Sequence, residues 1–141
     1  MITVLFGQPH SGKTTLADKL EADYYIDGDH LRTMFQNKDY SRQGRINNLN
    51  RASDIATYLH YNGNDVVLSL VYPYKEARDY LNNLVPGVKW IYLHYTEERG
   101  REEFHVKDFE LDLLEEKVLA LSTSRWSIEE SVHLIKDYIH G

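Results

Sequence analysis

Short apolar segments alternate along the chain with stretches of helical periodicity. The apolar segments, each of strand length, span residues 2–6, 23–27, 65–71, 88–94 and 117–121. The helical stretches span residues 15–20, 29–36, 45–62, 75–83 and 128–139. Residues 127–130 read SIEE, a capping-box pattern that marks the start of the last helix. Strands that alternate with helices predict an α/β fold, in which a five-stranded parallel sheet carries helices on both faces as a three-layer sandwich.

The helical stretch at 45–62 carries polar residues on its apolar face. The apolar stripe consists of Ile46, Leu49, Ala52, Ile55, Ala56 and Leu59. At 100° per residue, Arg45 and Asn48 fall on the same stripe rather than on the solvent side. A charged residue that faces inward needs a partner, and an anionic substrate is a natural one. Arg51 lies on the flank of the stripe, where a solvated charge and a salt bridge are equally compatible with its position.

The composition limits the classes of function. At 141 residues, without an internal repeat, the chain is expected to form one domain, residues 1–141. It has no apolar run of about 18 residues and begins with a strand, so we expect neither a membrane span nor a signal peptide. Cysteine is absent, which is compatible with a reducing cytoplasm. The net charge of −6 argues against a broad nucleic-acid-binding surface but leaves room for a local basic pocket.

Residues 7–14 read GQPHSGKT, a complete G-x-x-x-x-G-K-[ST] phosphate-binding loop. A strand-type segment precedes the loop and a helical stretch follows it, which is the arrangement that presents backbone N–H groups to phosphate. Lys13 is expected to reach the β- and γ-phosphates, and the Thr14 hydroxyl to hold Mg²⁺. An ordinary glycine turn is the alternative. The loop predicts ATP and Mg²⁺ as cofactors, and the residues assigned to them are Gly7, Gln8, Pro9, His10, Ser11, Gly12, Lys13, Thr14 and Thr15.

Two carboxylates flank a glycine directly after the second strand. Ligands of parallel sheets bind at the carboxyl ends of the strands, so Asp27 and Asp29 are expected opposite the phosphate loop. A carboxylate there can accept the proton of an attacking substrate hydroxyl or order Mg²⁺ through water. Asp27 is the stronger candidate for such a carboxylate, with a simple turn as the alternative, whereas Asp29 fits a substrate contact and a helix cap about equally well. Arg32, with Arg45 and Asn48, would complete a small basic pocket for a phosphate- or sulfate-bearing small molecule.

The segment after the third strand is a second candidate wall of this pocket. Pro73 ends the strand and fixes a turn. Tyr72 or Tyr74 could line the pocket, and Lys75 could contact phosphate. Packing of the tyrosines at the sheet edge, with a solvated lysine, is an equally good interpretation.

Residues 96–110 form the most polar stretch of the chain. A charged, poorly periodic segment between two strands is typical of a mobile lid, which kinases use to exclude water. Arg99 and Arg101 are candidates for clamping the nucleotide phosphates. A solvated helix with charge pairs three or four residues apart is the alternative.

With these residues in view, the chain resembles the adenylylsulfate kinases, phosphate-loop enzymes that phosphorylate the 3′-hydroxyl of adenosine 5′-phosphosulfate with MgATP. The resemblance extends over nearly the whole chain. Residues 7–15 resemble the ATP loop of that family, and residues 27–32 resemble its Asp-Gly-Asp-Asn-x-Arg motif. Residues 40–51 are similar to its Phe-Ser, Arg, Asn and Arg positions, residues 72–74 to its Ser-Pro-Tyr, and residues 121–139 to its final strand and helix.

The resemblance implies a phosphate-loop kinase fold and a role for each matching residue. Asp27 would be the catalytic base, Tyr40 would stack on the adenine of the acceptor, and the residues that hold its phosphosulfate would be Arg32, Arg45 and Asn48. Three departures accompany these matches. His30 replaces an asparagine, Tyr72 replaces a serine that can carry a phosphoryl group, and the lid is shortened to about residues 104–109.

The leading hypothesis is an ATP-dependent kinase that phosphorylates a hydroxyl of a small anionic acceptor, with the 3′-hydroxyl of adenosine 5′-phosphosulfate as the best single choice. The alternatives are a kinase for a nucleoside, a nucleotide or a modified base in a polynucleotide, and a nucleotide-binding module without catalysis. A nucleic-acid partner is therefore not favoured, no membrane partner is expected, and a homodimer is left open. The expected location is the cytoplasm.

Overall fold

The computed structural model describes residues 1–100, 105–111 and 117–141. The strands are β1 (Ile2–Phe6), β2 (Tyr24–Asp27), β3 (Val66–Ser69), β4 (Lys89–His94) and β5 (Val118–Ser122). The helices are α1 (Lys13–Lys19), α2 (Gly28–Met34), α3 (Arg42–Tyr61), α4 (Lys75–Leu84) and α5 (Ile128–His140). Each predicted strand and helix has its counterpart, with shifted ends.

The five strands form one parallel sheet in the order β2-β3-β1-β4-β5. β1 lies at the centre, with Val4 opposite Leu68 of β3 and Trp90 of β4. The chain leaves the carboxyl end of β1 into residues 7–12 and the carboxyl end of β2 into α2. The two strands that carry the phosphate loop and Asp27 therefore end at the same edge of the sheet, separated by β3.

Hydrophobic side chains cover both faces of the sheet. One cluster packs Val4, Phe6 and Leu68 against helices α2, α3 and α4. The other packs Leu5 and Ile91 against α1 and α5. Successive residues of β1 thus point to opposite faces, as the pleat of a strand requires. This arrangement confirms the predicted three-layer α/β sandwich.

Polar caps set the starts of two helices. At α5 the capping box is present as predicted: the Ser127 hydroxyl accepts from the Glu130 N–H, and the Glu130 carboxylate accepts from the Ser127 N–H. α3 begins three residues before the predicted start, because the Ser41 hydroxyl caps it by accepting from the Gly44 N–H. β3 ends at Ser69 rather than at residue 71. Just beyond it, Tyr72 has a φ of 45°, which is incompatible with a continuing strand.

Residues 105–111, which we call the strap, lie against the phosphate loop and the N-terminal ends of α3 and α4. Val106 is buried, and Phe109 stacks on Phe6 with 6.4 Å between ring centroids. The strap is the second half of the predicted lid, whereas residues 101–104 of that lid, with Arg101, lie outside the described residues. Among the described helices, none has the length and apolar character needed to cross a membrane.

Candidate functional site

A cleft of about 870 Å³ opens at the carboxyl ends of β1, β2 and β3. Most of the predicted site residues line it: Pro9, His10, Gly12, Lys13, Thr14, Thr15, Asp27, Asp29, Arg32, Tyr40, Arg45, Asn48 and Arg99. The structure therefore brings the phosphate loop, the two aspartates and the basic residues of α2 and α3 together in one cleft. Three residues of the phosphate loop do not line the cleft: Gly7, Gln8 and Ser11.

Glycines allow the phosphate loop to turn under the cleft. Gly7 has a φ of 148°, and a Cβ on it would come within 2.3 Å of the Leu93 carbonyl oxygen. Gly12 has a φ of 102°, in the left-handed region that favours glycine, and directly precedes α1. The two fixed glycines of the motif thus stand where a side chain would be strained or would collide with the neighbouring strand.

Lys13 folds back over the loop. Its Nζ donates to the Gly7 and Gln8 carbonyl oxygens at 3.0 and 2.8 Å, and to Ser11 Oγ at 3.3 Å. Burial lowers the pKa of Lys13 to about 8, although the charges of Asp29 and Asp27 oppose this shift. The amine is therefore a desolvated cation at neutral pH whose hydrogen bonds go to neutral oxygens, and a phosphate group would supply a counter-charge in direct contact. With the exposed Thr14 hydroxyl beside it, this arrangement fits a Mg²⁺-bound nucleoside triphosphate.

Asp27 ends β2 and caps the helix that follows. Its Oδ1 accepts from the Asp29 N–H at 2.9 Å. The helix cap, which was one of the two roles predicted for Asp29, is therefore provided by Asp27. The cap uses one carboxylate oxygen. Asp27 also pairs with Ser69 of β3, which lines the cleft. A half-buried carboxylate that is held at a strand end with an oxygen to spare is suited to accept a proton.

Two arginines, Arg32 and Arg45, line the cleft together. Arg32 donates from Nη1 to the Asp39 carbonyl oxygen at 3.1 Å and lies 4.3 Å from the Tyr40 ring centroid. Burial lowers the pKa of Arg32, and the positive charge of the neighbouring Arg45 lowers it further. Two guanidinium groups that repel each other across a cleft are stabilised by a bound anion. The Tyr40 ring is 65% exposed, so it retains open surface for stacking.

Asn48 supplies a second sign that a ligand belongs in this part of the cleft. Its side chain is buried, with 4% of its surface exposed, and Nδ2 donates to the Gly28 carbonyl oxygen at 3.4 Å. Oδ1 has no hydrogen-bond partner among the described residues. A buried oxygen without a partner is costly, so a polar group of a ligand would stabilise it.

Two predicted substrate residues do not line the cleft. The Tyr72 side chain is fully buried, its hydroxyl lies 2.8 Å from Ser53 Oγ, and burial raises its pKa. The positive φ of Tyr72 turns this side chain into the core, where it packs edge-on against Trp90. Lys75 is exposed at the start of α4 and forms an ion pair with Asp79 at 2.9 Å. Neither residue lines the cleft, so the structure does not support the prediction that Tyr72 and Lys75 contact the substrate.

Arg99 borders the cleft, but its guanidinium group forms hydrogen bonds and an ion pair within the protein. Its Nη1 donates to the His10 carbonyl oxygen at 3.0 Å and to Thr123 Oγ1 at 2.9 Å, and its guanidinium pairs with Glu97. The clamping role stays a prediction. Arg51, left open above, stacks on the Phe35 ring at 4.7 Å, outside the cleft.

Several cleft residues were not assigned from the sequence. Leu49 and Leu70 form an apolar part of the cleft wall. Another part of the wall is formed by His105 and Val106 of the strap. Leu49 adjoins Asn48 on the apolar stripe of α3 and could have been found there. His105 and Val106 follow a segment without periodicity, and only the tertiary structure places them.

Comparisons with known proteins find kinases among the relatives of this chain. The family model described as adenylylsulphate kinase matches residues 1–104. A probable adenylyl-sulfate kinase of Aeropyrum pernix is 38% identical over 94 residues, which cover 60% of this chain and 51% of that protein. A cytidine diphosphoramidate kinase of Campylobacter jejuni is 28% identical over 93% of this chain and 91% of its own length.

A solved structure agrees with the fold. The APS kinase of Mycobacterium tuberculosis, in complex with AMPPNP and APS, superposes with a TM-score of 0.82 at 20% identity, covering 99% of this chain and 97% of that one. The match to the Aeropyrum protein spans about half of that relative's length, whereas the structural match is nearly complete. Because the family model covers well over half of the chain and its motifs meet in one cleft, the chain belongs to the adenylylsulphate kinase family.

Proposed function

We propose that this protein is an ATP-dependent kinase that transfers the γ-phosphoryl group to a hydroxyl of a small anionic acceptor, with the 3′-hydroxyl of adenosine 5′-phosphosulfate as the first candidate. One observation carries the proposal: the phosphate loop and a pair of arginines lie in the same cleft, with carboxylates near both. The charge of Asp29 acts on Lys13 and also on Arg32, so the donor and acceptor ends are close together.

The residues of the cleft divide the reaction between them. The acceptor hydroxyl attacks the γ-phosphorus, the bond to the β-phosphate oxygen breaks, and ADP leaves. Asp27 accepts the hydroxyl proton on the oxygen not committed to the helix cap. Lys13 moves from its loop carbonyls to the phosphates and neutralises the charge that develops there. Mg²⁺, for which the Thr14 hydroxyl is the proposed ligand, supplies further positive charge to the β- and γ-phosphates when bound.

The acceptor end is suited to an anionic nucleotide. Arg32 and Arg45 supply two positive charges in a protein whose net charge is −6. Asn48 offers a buried amide oxygen to a hydroxyl or amino group. Tyr40 offers an exposed ring to a base, with Arg32 stacked on it. Together these groups match a compact molecule that carries an aromatic base, a sugar and a charged 5′ group.

A cytidine nucleotide whose 5′-diphosphate ends in an amide is the second candidate acceptor. The relative named for cytidine diphosphoramidate aligns with 93% of this chain, whereas the family model ends at residue 104. The strap begins at the next residue and contributes His105 and Val106 to the cleft wall. Both candidates are ribonucleotides with an anionic 5′ extension, so the same arginines would serve either.

An acceptor screen tests the proposal. The purified chain is incubated with MgATP and, separately, with adenosine 5′-phosphosulfate, cytidine diphosphoramidate, adenosine 5′-monophosphate and a single-stranded oligonucleotide. ADP release is followed by a coupled assay, and each product by mass spectrometry. We expect acceptor-dependent ADP release with one of the first two acceptors, and none with Lys13→Ala.

Two outcomes of the screen would contradict the proposal. Stoichiometric ATP binding without transfer to any acceptor would favour a non-catalytic module. Phosphorylation of the oligonucleotide, with binding that weakens steeply as salt increases, would favour a polynucleotide kinase.

A further inference from the structure

The strap, residues 105–111, connects the donor end of the cleft to the acceptor end. Val106 contacts Gln8 of the phosphate loop, His105 is linked to Pro9 through Tyr95, and Glu110 contacts the starts of α3 and α4. Between these ends, Phe109 packs on Phe6 and Tyr92. The strap is therefore fastened at two places, at the phosphate loop and at the starts of α3 and α4.

Gln8 forms the fastening at the donor end. Its side-chain Nε2 donates to the Val106 carbonyl oxygen at 2.8 Å, and its Oε1 accepts from the Val106 N–H at 2.9 Å. The primary amide thus satisfies both backbone groups of one residue that is 98 positions away in sequence. Such a paired contact fixes the orientation of the Val106 peptide as well as its distance from the loop. A side chain held in this way does not point at the phosphates, which the loop contacts through its backbone and Lys13.

A second contact fixes the strap beside Gln8. The Tyr95 hydroxyl lies 2.8 Å from the Pro9 carbonyl oxygen and 2.8 Å from His105 Nε2. A carbonyl can only accept, so the single proton of the hydroxyl is donated to Pro9. His105 Nε2 must then carry a proton and donate it to Tyr95. Consecutive residues of the loop and of the strap are therefore linked, Gln8 to Val106 and Pro9 through Tyr95 to His105.

Glu110 forms the fastening at the acceptor end. Its Oε1 accepts from the Lys75 N–H at 2.9 Å, at the start of α4, where Tyr74 provides no side-chain cap. Its other carboxylate oxygen pairs with Arg42 of α3 at 3.4 Å. The buried Arg78 also donates to the Glu110 carbonyl oxygen at 2.5 Å. The helix that carries Arg45 and Asn48 is thereby joined to the strap.

From these contacts we infer that Gln8 is a positioning residue, which acts through the strap to hold the acceptor in line with the phosphate loop. The inference rests on the proposed function, because it assigns the acceptor to the part of the cleft that His105 and Val106 of the strap line. Gln8 aligns Val106, Val106 lines the cleft, and Glu110 ties the same segment to α3. Release of Val106 would displace this wall of the cleft while leaving the glycines and Lys13 of the loop in place. Gln8, assigned to ATP from the motif alone, would then affect mainly the acceptor.

Gln8→Leu tests the inference, because leucine keeps a side chain of similar size and removes both hydrogen bonds. Gln43→Leu is the matched control: Gln43 is exposed on α3 and bonds to Asn47 one turn away. Amide hydrogen exchange is measured at Val106 and in β3, with and without MgADP. Three constants are measured on the same variants: KM for the acceptor that the screen identifies as a substrate, kcat for its phosphorylation, and Kd for MgADP.

We expect Gln8→Leu to speed exchange at Val106 by about tenfold or more, with β3 unchanged. KM for the acceptor should rise about tenfold, while Kd for MgADP stays within about twofold and Gln43→Leu matches the wild type. Unchanged exchange at Val106, or a loss of MgADP affinity equal to the rise in acceptor KM, would overturn the inference. If the wild type phosphorylates no acceptor, the proposed function fails. The exchange rate at Val106 then decides alone whether Gln8 holds the strap against the phosphate loop.

Discussion

Raising the pH from 7 to 9 should weaken nucleotide binding by about tenfold, through Lys13. Burial lowers the pKa of Lys13 to about 8 in the free protein. A phosphate against the amine favours the charged form and would return the pKa towards its ordinary value. About nine-tenths of the free protein is protonated at pH 7 and about one-tenth at pH 9, so affinity for the anion falls by that ratio. The change corresponds to about 1.4 kcal/mol of binding free energy.

Calorimetric titration with MgADP at pH 7, 8 and 9 measures this effect. The last pKa of a phosphate lies near 6, so the ligand keeps its charge over the range. Lys13→Arg is the control, because a guanidinium stays charged throughout and should remove most of the pH dependence.

Two results would refute this reasoning. A constant affinity between pH 7 and pH 9 would mean that the amine is not desolvated in solution. An equal fall in Lys13→Arg would assign the titration to another group.

Three further substitutions separate the roles of the site residues. Asp27→Asn keeps a helix-capping oxygen but loses the base, so turnover should fall about a hundredfold or more in the kinase assay, with MgADP affinity retained in calorimetry. Arg45→Ala should raise KM for the acceptor about tenfold or more and leave KM for ATP unchanged in initial-rate kinetics; equal changes in both would contradict the assignment. Tyr72→Phe should cost about 1 kcal/mol in urea unfolding, because Ser53 loses its partner, and should leave acceptor kinetics unaltered.

Local patterns were sufficient to find the phosphate loop. The phosphate loop is contiguous, so its eight residues could be recognised without knowledge of the fold. Asp27 followed from a topological rule, since parallel strands end at a common edge. Arg45 and Asn48 followed from helical periodicity, which placed both on the buried face of α3, and the structure puts both in the cleft wall.

Other positions depended on information that local patterns do not carry. Whether Tyr72 faces the cleft or the core is decided by its positive φ, which no apolar pattern encodes. The start of α3 was placed too late because the Ser41 cap lies outside the periodic region. The strap was predicted as part of a lid, but its contact with the phosphate loop could not be predicted, for a different reason. Its contact with Gln8 joins residues 98 positions apart, and neither residue belongs to a periodic face.

The boundary at residue 104 separates two kinds of evidence about the reaction. Residues 1–104, which the family model matches, contain the phosphate loop, Asp27 and the arginines of α2 and α3. These groups argue for phosphoryl transfer to an anionic acceptor. The strap lies beyond the boundary and supplies cleft contacts at His105 and Val106. Any relative that shares the first part and differs in the strap would keep the chemistry and present a different wall to the acceptor. Family membership therefore supports the reaction more strongly than it supports adenosine 5′-phosphosulfate as the acceptor. If Gln8→Leu changes KM for the acceptor alone, the strap takes part in selecting the acceptor.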